Sequence, residues 1–271
     1  MKIGSWRVNR VVLTFVLAAA TWTALPSLVT AAGSLVYTAF GDSIAFGAFA
    51  PIGRGYVPLY SQALANDTGR SIIRYDLGVP GWTSHDLANA LASGPLFRLA
   101  AFSSQVITWN IGGNDLSAAR NLYKAGTCGG AKNEDCLIAA VASLEGNWDH
   151  ILASLFTLRK SRATVFRTMD IYNPFVNVDK ASDSWPAGGD GVSDFDVFKP
   201  YLDAVNAYIA TASAARGVKV APVYLAFNGP IGDEDPGDKG LLAFDDFHPN
   251  AQGHAVIASL LRALGYAAVT P

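Results

Sequence analysis

Five short β-rich apolar runs alternate with helical stretches along this chain, and that alternation limits the folds open to it. The runs are Leu35–Phe40, Ile72–Leu77, Gln105–Ile111, Thr164–Met169 and Val218–Val223. The helical stretches are Tyr56–Asn66, Ser84–Leu91, Asp135–Leu158, Phe198–Arg216 and Asn250–Leu264. Strands that recur with a helix between them cannot pair as hairpins. They cross over and pair in parallel, with helices covering both faces. The expectation is one α/β domain, a three-layer α/β/α sandwich on a five-stranded parallel sheet. No internal repeat or linker divides residues 33–271, which are read as a single domain. Two segments are long for plain connections, Asn177–Asp196 and Asn228–Gly240, and long loops in compact domains are often functional.

Residues 1–32 read differently. Lys2, Arg7 and Arg10 precede an apolar run from Val11 to Ala20, and Thr30, Ala31 and Ala32 supply small residues before Gly33. This is the pattern of an export signal removed on secretion. An uncleaved anchor is the alternative, but Thr21, Thr23 and Pro26 interrupt the run before it reaches spanning length. A secreted or extracytoplasmic protein follows, with no stable membrane span after cleavage. In that setting Cys128 and Cys136, which flank a polar turn-rich segment, read as a disulfide rather than two free thiols.

Charge narrows the partners. Lys and Arg number 20 against 22 Asp and Glu, a net charge of -2. Nucleic acid needs a basic surface to neutralise phosphates, so no nucleic-acid partner is expected. The same balance argues against strong attraction to an anionic membrane surface. The partner expectations are a small-molecule or lipid ester substrate and a monomer.

In an open parallel sheet, ligands bind beyond the carboxyl ends of the strands. Those ends carry Gly41-Asp42-Ser43, Gly78-Val79-Pro80-Gly81 and Gly112-Gly113-Asn114-Asp115, and near the C-terminus stands Asp245-Asp246-Phe247-His248-Pro249. A hydroxyl, an imidazole, carboxylates and an amide therefore converge on one rim. Nucleophilic acyl transfer needs this set: a base to take the hydroxyl proton, a carboxylate to orient the base, and donors for the oxyanion.

These blocks resemble, in order, the motifs of the SGNH hydrolases, also called the GDSL lipases and esterases, with Ile44 in place of the Leu of the name. The resemblance runs from about Leu35 to the end of the chain. It implies a flavodoxin-like SGNH fold and a carboxylic ester hydrolase that works through an acyl-enzyme without a cofactor or metal. It implies Ser43 as nucleophile, His248 as general base and Asp245 as the carboxylate that orients it. Asp246 is the rival for that last role, and the family spacing favours Asp245. It implies an oxyanion hole made by the Ser43 and Gly81 backbone N–H groups and the Asn114 side chain. Gly78 is the other glycine of the second block, and Gly81 is preferred. An acetyl esterase acting on carbohydrate or cell-wall polymers is the alternative enzyme, with Trp82, Trp109 and Trp185 as candidate sugar platforms. A non-catalytic binding module of the same fold is the alternative outside the enzymes.

Simpler readings remain for several residues. Asp42 is expected to brace the loop backbone, and Asp115 to cap the following helix. His254 is expected to pack behind the site. The Asp-rich stretch Asp183–Asp196 lacks the pattern of a calcium loop and reads as a solvated loop or mobile lid.

Overall fold

The computed structural model describes residues 33–160 and 162–269; the expected export signal lies outside them. Five strands, β1 (Leu35–Gly41), β2 (Ile72–Gly78), β3 (Val106–Asn110), β4 (Val165–Met169) and β5 (Lys219–Ala221), form one all-parallel sheet in the order β2-β1-β3-β4-β5. The first crossover steps to one side of β1 and the next to the other. The order therefore reverses between β1 and β3, the crevice where open α/β sheets bind ligands. Register sharpens this: Gly41 pairs with Gly78 on one side and with Asn110 on the other, so three strands end level. The loops that follow share one rim.

β1 is buried along its whole length, as a central strand covered on both faces must be. Its side chains alternate between two cores. Phe40 joins Ile107, Trp109, Leu144, Trp148 and Leu202 on one face. Tyr37 and Ala39 join Tyr60, Val106, Val165 and Leu261 on the other. The first face is covered by α3 (Ser84–Ser93), α4 (Pro95–Ser103), α5 (Gly113–Lys124), α6 (Asp135–Leu158) and α8 (Asp194–Ala214). The second is covered by α1 (Ser43–Phe46), α2 (Tyr56–Thr68), α9 (Val223–Asn228) and α10 (Ala251–Ala263). One further short helix, α7 (Val176–Lys180), lies in the loop after β4.

The expected architecture is present, with local corrections. α4 and α5 do not stand out in the sequence: one opens with Gly94-Pro95 and the other with Gly112-Gly113, both of which read as loop. Pro at the first position of a helix lacks only an N–H that has no partner there anyway. β5 is three residues, ended by Pro222, which cannot donate to the ladder. α8 starts at Asp194, capped by Ser193, which accepts from the Asp196 N–H. α3 is capped by Thr83 in a capping box with Asp86. Asp115 lies inside α5 and does not cap it; its carboxylate accepts from the Ser84 N–H and Oγ–H at 2.9 and 2.6 Å, tying α5 to the start of α3.

The long segment 177–196 is anchored by two buried acids, and the second, Asp194, lies in the stretch Asp183–Asp196 expected to be solvated. Asp179 and Asp194 are buried. Asp179 takes Arg120 Nε at 2.6 Å and Lys124 Nζ at 3.1 Å, and Lys124 also pairs with Asp194. Asp194 also accepts from the Ser184 N–H and hydroxyl. Each buried carboxylate thus has a cation, the condition for holding a charge away from water. Cys128 and Cys136 are joined in a disulfide across the turn between α5 and α6, and the described residues contain no free cysteine.

Candidate active site

Ser43 is the first residue of α1, directly after β1. Gly41 reaches this turn at φ 146, with its α-carbon against Asn110; a Cβ there would lie 2.3 Å from the Asn110 carbonyl oxygen. Only glycine lets β1 and β3 close up at this point. Asp42 braces the turn as expected. Its Oδ1 accepts from the Ile44 N–H at 2.9 Å and from Asn110 Nδ2 at 2.7 Å, and Asn110 in turn accepts from the Tyr56 hydroxyl at 3.0 Å. Burial pushes the Asp42 carboxyl up to about 6 despite these bonds. The network beneath the serine runs through Asn110 and Tyr56, neither of which sequence reasoning singled out.

His248 sits on a loop closed upon itself. Leu242 and Pro249 form an antiparallel bridge, and the Ala243 N–H donates to the His248 carbonyl at 2.8 Å. Asn250 secures both ends. Its Oδ1 accepts from the Gln252 and Gly253 N–H groups at the start of α10, and its Nδ2 donates to the Gly240 and Leu242 carbonyls. The Tyr172 hydroxyl holds the Phe247 carbonyl at 2.7 Å.

This loop brings the imidazole to the serine. His248 Nε2 lies 2.8 Å from Ser43 Oγ, and His248 Nδ1 lies 2.5 Å from Asp245 Oδ2. Burial raises the Asp245 carboxyl, but hydrogen bonds from the His248 side chain and from the His248 and Phe247 backbone outweigh it and hold it below the usual value. An ionised Asp245 keeps the proton on Nδ1, leaving Nε2 as the acceptor facing the hydroxyl. Asp246 has φ 52, and the imidazole bonds to its neighbour Asp245.

Phe49, one of several apolar residues that follow the nucleophile in sequence, stacks on the imidazole with ring centroids 4.9 Å apart, and Phe247 meets it edge-on at 4.8 Å. Phe49 holds φ 61, a backbone region a phenylalanine rarely occupies, and such residues gather at functional sites. Phe244 packs on Phe49 at 5.1 Å and is 89% exposed. An apolar ledge therefore extends outward from the histidine.

Two backbone donors stand free. Neither the Ser43 nor the Gly81 N–H has an acceptor among the described residues. The two glycines of the second block divide their work. A Cβ on Gly78 would lie 2.3 Å from the Phe46 nitrogen, so Gly78 lets α1 rest on β2, whereas a Cβ on Gly81 would meet nothing within 4 Å. Asn114, in the first turn of α5, donates one amide hydrogen to the Trp82 carbonyl at 2.8 Å, and the second remains free.

Ser43, Asn110 and Asn114 line one cleft of about 680 Å3 including its open mouth. Its other walls are mostly apolar, with Ile44, Ile171, Pro174, Phe175, Phe198 and Phe247 among them, but Asp42, Ser117 and Asp170 line it too. Of the tryptophans considered as sugar platforms, Trp109 is fully buried in the core, Trp82 stacks on Phe97, and Trp185 is half-buried against the first core. His254 is buried behind the site, where its Nδ1 accepts from the Tyr56 N–H at 3.2 Å. Among the described residues no group of three His, Cys, Asp or Glu side chains is placed to hold a metal ion. No helix among them is long and apolar enough to cross a membrane.

Residues 39–256 match the profile of the GDSL-like lipase/acylhydrolase family. Among solved structures, a lipase from a goat rumen metagenome is similar at 22% identity and a TM-score of 0.69, over 86% of this chain and 98% of its own. The extracellular lipase of Streptomyces rimosus is similar at 19% identity and 0.55, over 85% and 100%. An acetyl xylan esterase of Geobacillus stearothermophilus is similar at 19% and 0.57, over 86% and 96%. No curated protein matches the chain by sequence.

Proposed function

The chain belongs to the GDSL-like lipase/acylhydrolase family and is a carboxylic ester hydrolase, and from that premise we propose an exported serine esterase of apolar esters that works through an acyl-enzyme on Ser43. The observation that carries this reading is the contact between Ser43 Oγ and His248 Nε2 at 2.8 Å, with Asp245 on the far nitrogen.

In the first half-reaction Ser43 Oγ attacks the ester carbonyl carbon while its proton passes to His248 Nε2. The carbonyl oxygen becomes an oxyanion, met by the free Ser43 and Gly81 N–H groups and the second Asn114 amide hydrogen. The intermediate collapses as the carbon–oxygen bond to the alcohol breaks, and the leaving alkoxide takes the proton from Nε2. In the second half-reaction water attacks the acyl-enzyme, gives a proton to Nε2, and Ser43 recovers it as the acid departs. Asp245 stays ionised throughout and stabilises the imidazolium. Such preorganised donors act most strongly in a site that excludes water.

Mostly apolar cleft walls favour an acyl chain over a polar acid. The alcohol leaves on the histidine side, where Phe49 and Phe244 offer an apolar ledge, so an apolar alcohol fits better than a sugar. The buried Trp109 and the Trp82–Phe97 stack count against the acetylated-carbohydrate reading. Export rests on the basic and apolar pattern of residues 1–32, with support from the Cys128–Cys136 disulfide, since such bonds persist in oxidising compartments. A chain-length series of p-nitrophenyl esters, run beside acetylated xylan, tests the substrate class. Rising kcat/KM from acetyl to medium chains supports the reading; release of acetate from xylan with poor turnover of longer esters would overturn it.

A further inference from the structure

At the pole opposite Ser43, the amino ends of β4 and β5 border a second cavity, about 1030 Å3 with its open mouth. Six of its lining side chains are cations: Arg159, Lys160, Arg162, Arg167, Arg216 and Lys219. No Asp or Glu lines it, and none of the six makes an ion pair among the described residues. The whole chain carries 20 Lys and Arg and a net charge of -2, so this is a local concentration that the average conceals.

Two of the six are buried. Arg159 and Arg167 are 5% and 6% exposed. Arg159 donates to Thr164 Oγ1 at 2.8 Å and to the Phe102 carbonyl. Arg167 donates to the Phe166, Leu264 and Gly265 carbonyls, while its Nε–H is buried without a partner. Carbonyl oxygens satisfy hydrogen bonds but supply no full negative charge, so both guanidinium charges stay uncompensated. The crowding is felt: burial, and then the neighbouring Arg162 charge, pulls Arg159 down to about 10. The other four cations are exposed around the rim.

We propose that this cavity binds a ligand bearing two or more phosphate groups. A lone carboxylate would offset one charge of six, whereas clustered phosphates match both the charge and the forked guanidinium donors. Because the cavity opens at the amino ends of the strands, its ligand is not the ester turned over at Ser43. Occupancy leaves the catalytic cleft open, and the proposal stands independently of the esterase assignment. The phosphates belong either to a free polyphosphate or to the headgroups of an anionic lipid surface.

The test uses the whole protein. Calorimetric titration with tripolyphosphate, and co-sedimentation with phosphatidylglycerol vesicles against phosphatidylcholine vesicles, separate the two sources. Binding of tripolyphosphate assigns a free ligand, and binding only to the anionic vesicles assigns the headgroups. In either case Arg162→Gln/Arg216→Gln should weaken binding about tenfold or more and leave hydrolysis of a soluble ester unchanged. Arg54→Gln/Lys132→Gln removes the same charge elsewhere on the surface and should leave binding intact. No binding in either arm, or equal weakening by the two double variants, would overturn the proposal.

Discussion

Asn114 Nδ2 donates to the Trp82 carbonyl at 2.8 Å, so the residue expected to meet the oxyanion also holds the loop that carries Gly81. Two of the three proposed donors therefore depend on one side chain. Asn114→Ala should lower kcat by about 10²–10³, with little change in KM, because the lost interaction exists mainly in the transition state. A change confined to KM would place Asn114 in ground-state binding instead. Steady-state kinetics on one soluble ester decides between them.

Phe244 is a surface residue joined to His248 only through Phe49, and its removal should not disturb the fold. Phe244→Ala should reduce the preference for long over short alcohols about five- to tenfold at constant acyl group, by losing a few methylenes of apolar contact. The acyl-chain preference should not move. Equal losses across both series would detach the ledge from the leaving group.

Arg120 bonds to Asp179 across 59 residues of sequence, deep in the protein. Arg120→Met leaves that buried carboxylate with Lys124 alone and should cost about 3 kcal/mol in urea unfolding. It should also open residues 177–196 to limited proteolysis. An unchanged midpoint would mean the cluster holds nothing down.

His254 sets part of the acid response. Burial, together with the His248 charge and against a hydrogen bond to Ala48, pulls its imidazole down to about 4. The unfolded chain takes this proton near 6.5, so the His254 contribution is full above that pH and is lost as pH falls towards 4. Asp42, raised to about 6, acts the other way: its folded form takes up a proton first, so its contribution improves stability as pH falls below 6. His254→Asn keeps an acceptor for the Tyr56 N–H and removes the titration. Between pH 6.5 and 4 the variant should lose less stability than the native chain, by up to about 3 kcal/mol. Parallel profiles from denaturant titrations at each pH would contradict the assignment.

The parts of this protein that sequence made legible are those fixed by local chemistry. Strand and helix periods gave the layers, and glycines after strands marked the rim. What stayed hidden depends on distant packing. Asn110 reads as an ordinary strand end until β1 and β3 pair and set it against Gly41 and Asp42. Phe49 reads as one apolar residue among several until the loop at 242–249 brings His248 beneath it. The stretch Asp183–Asp196 reads as solvated because its acids are local, while the cation of its buried Asp194, Lys124, lies far back in the chain. The basic cavity is likewise invisible, since its six cations spread from 159 to 219 and cancel in the net charge.

Every step of the proposed reaction runs through Ser43 Oγ as the atom that carries the acyl group. A fluorophosphonate probe followed by peptide mass mapping measures this directly. One label per chain, on the peptide containing Ser43, with reaction and turnover both lost in Ser43→Ala and its fold retained, is the predicted result. A label on another residue, or ester hydrolysis surviving in Ser43→Ala, would contradict it.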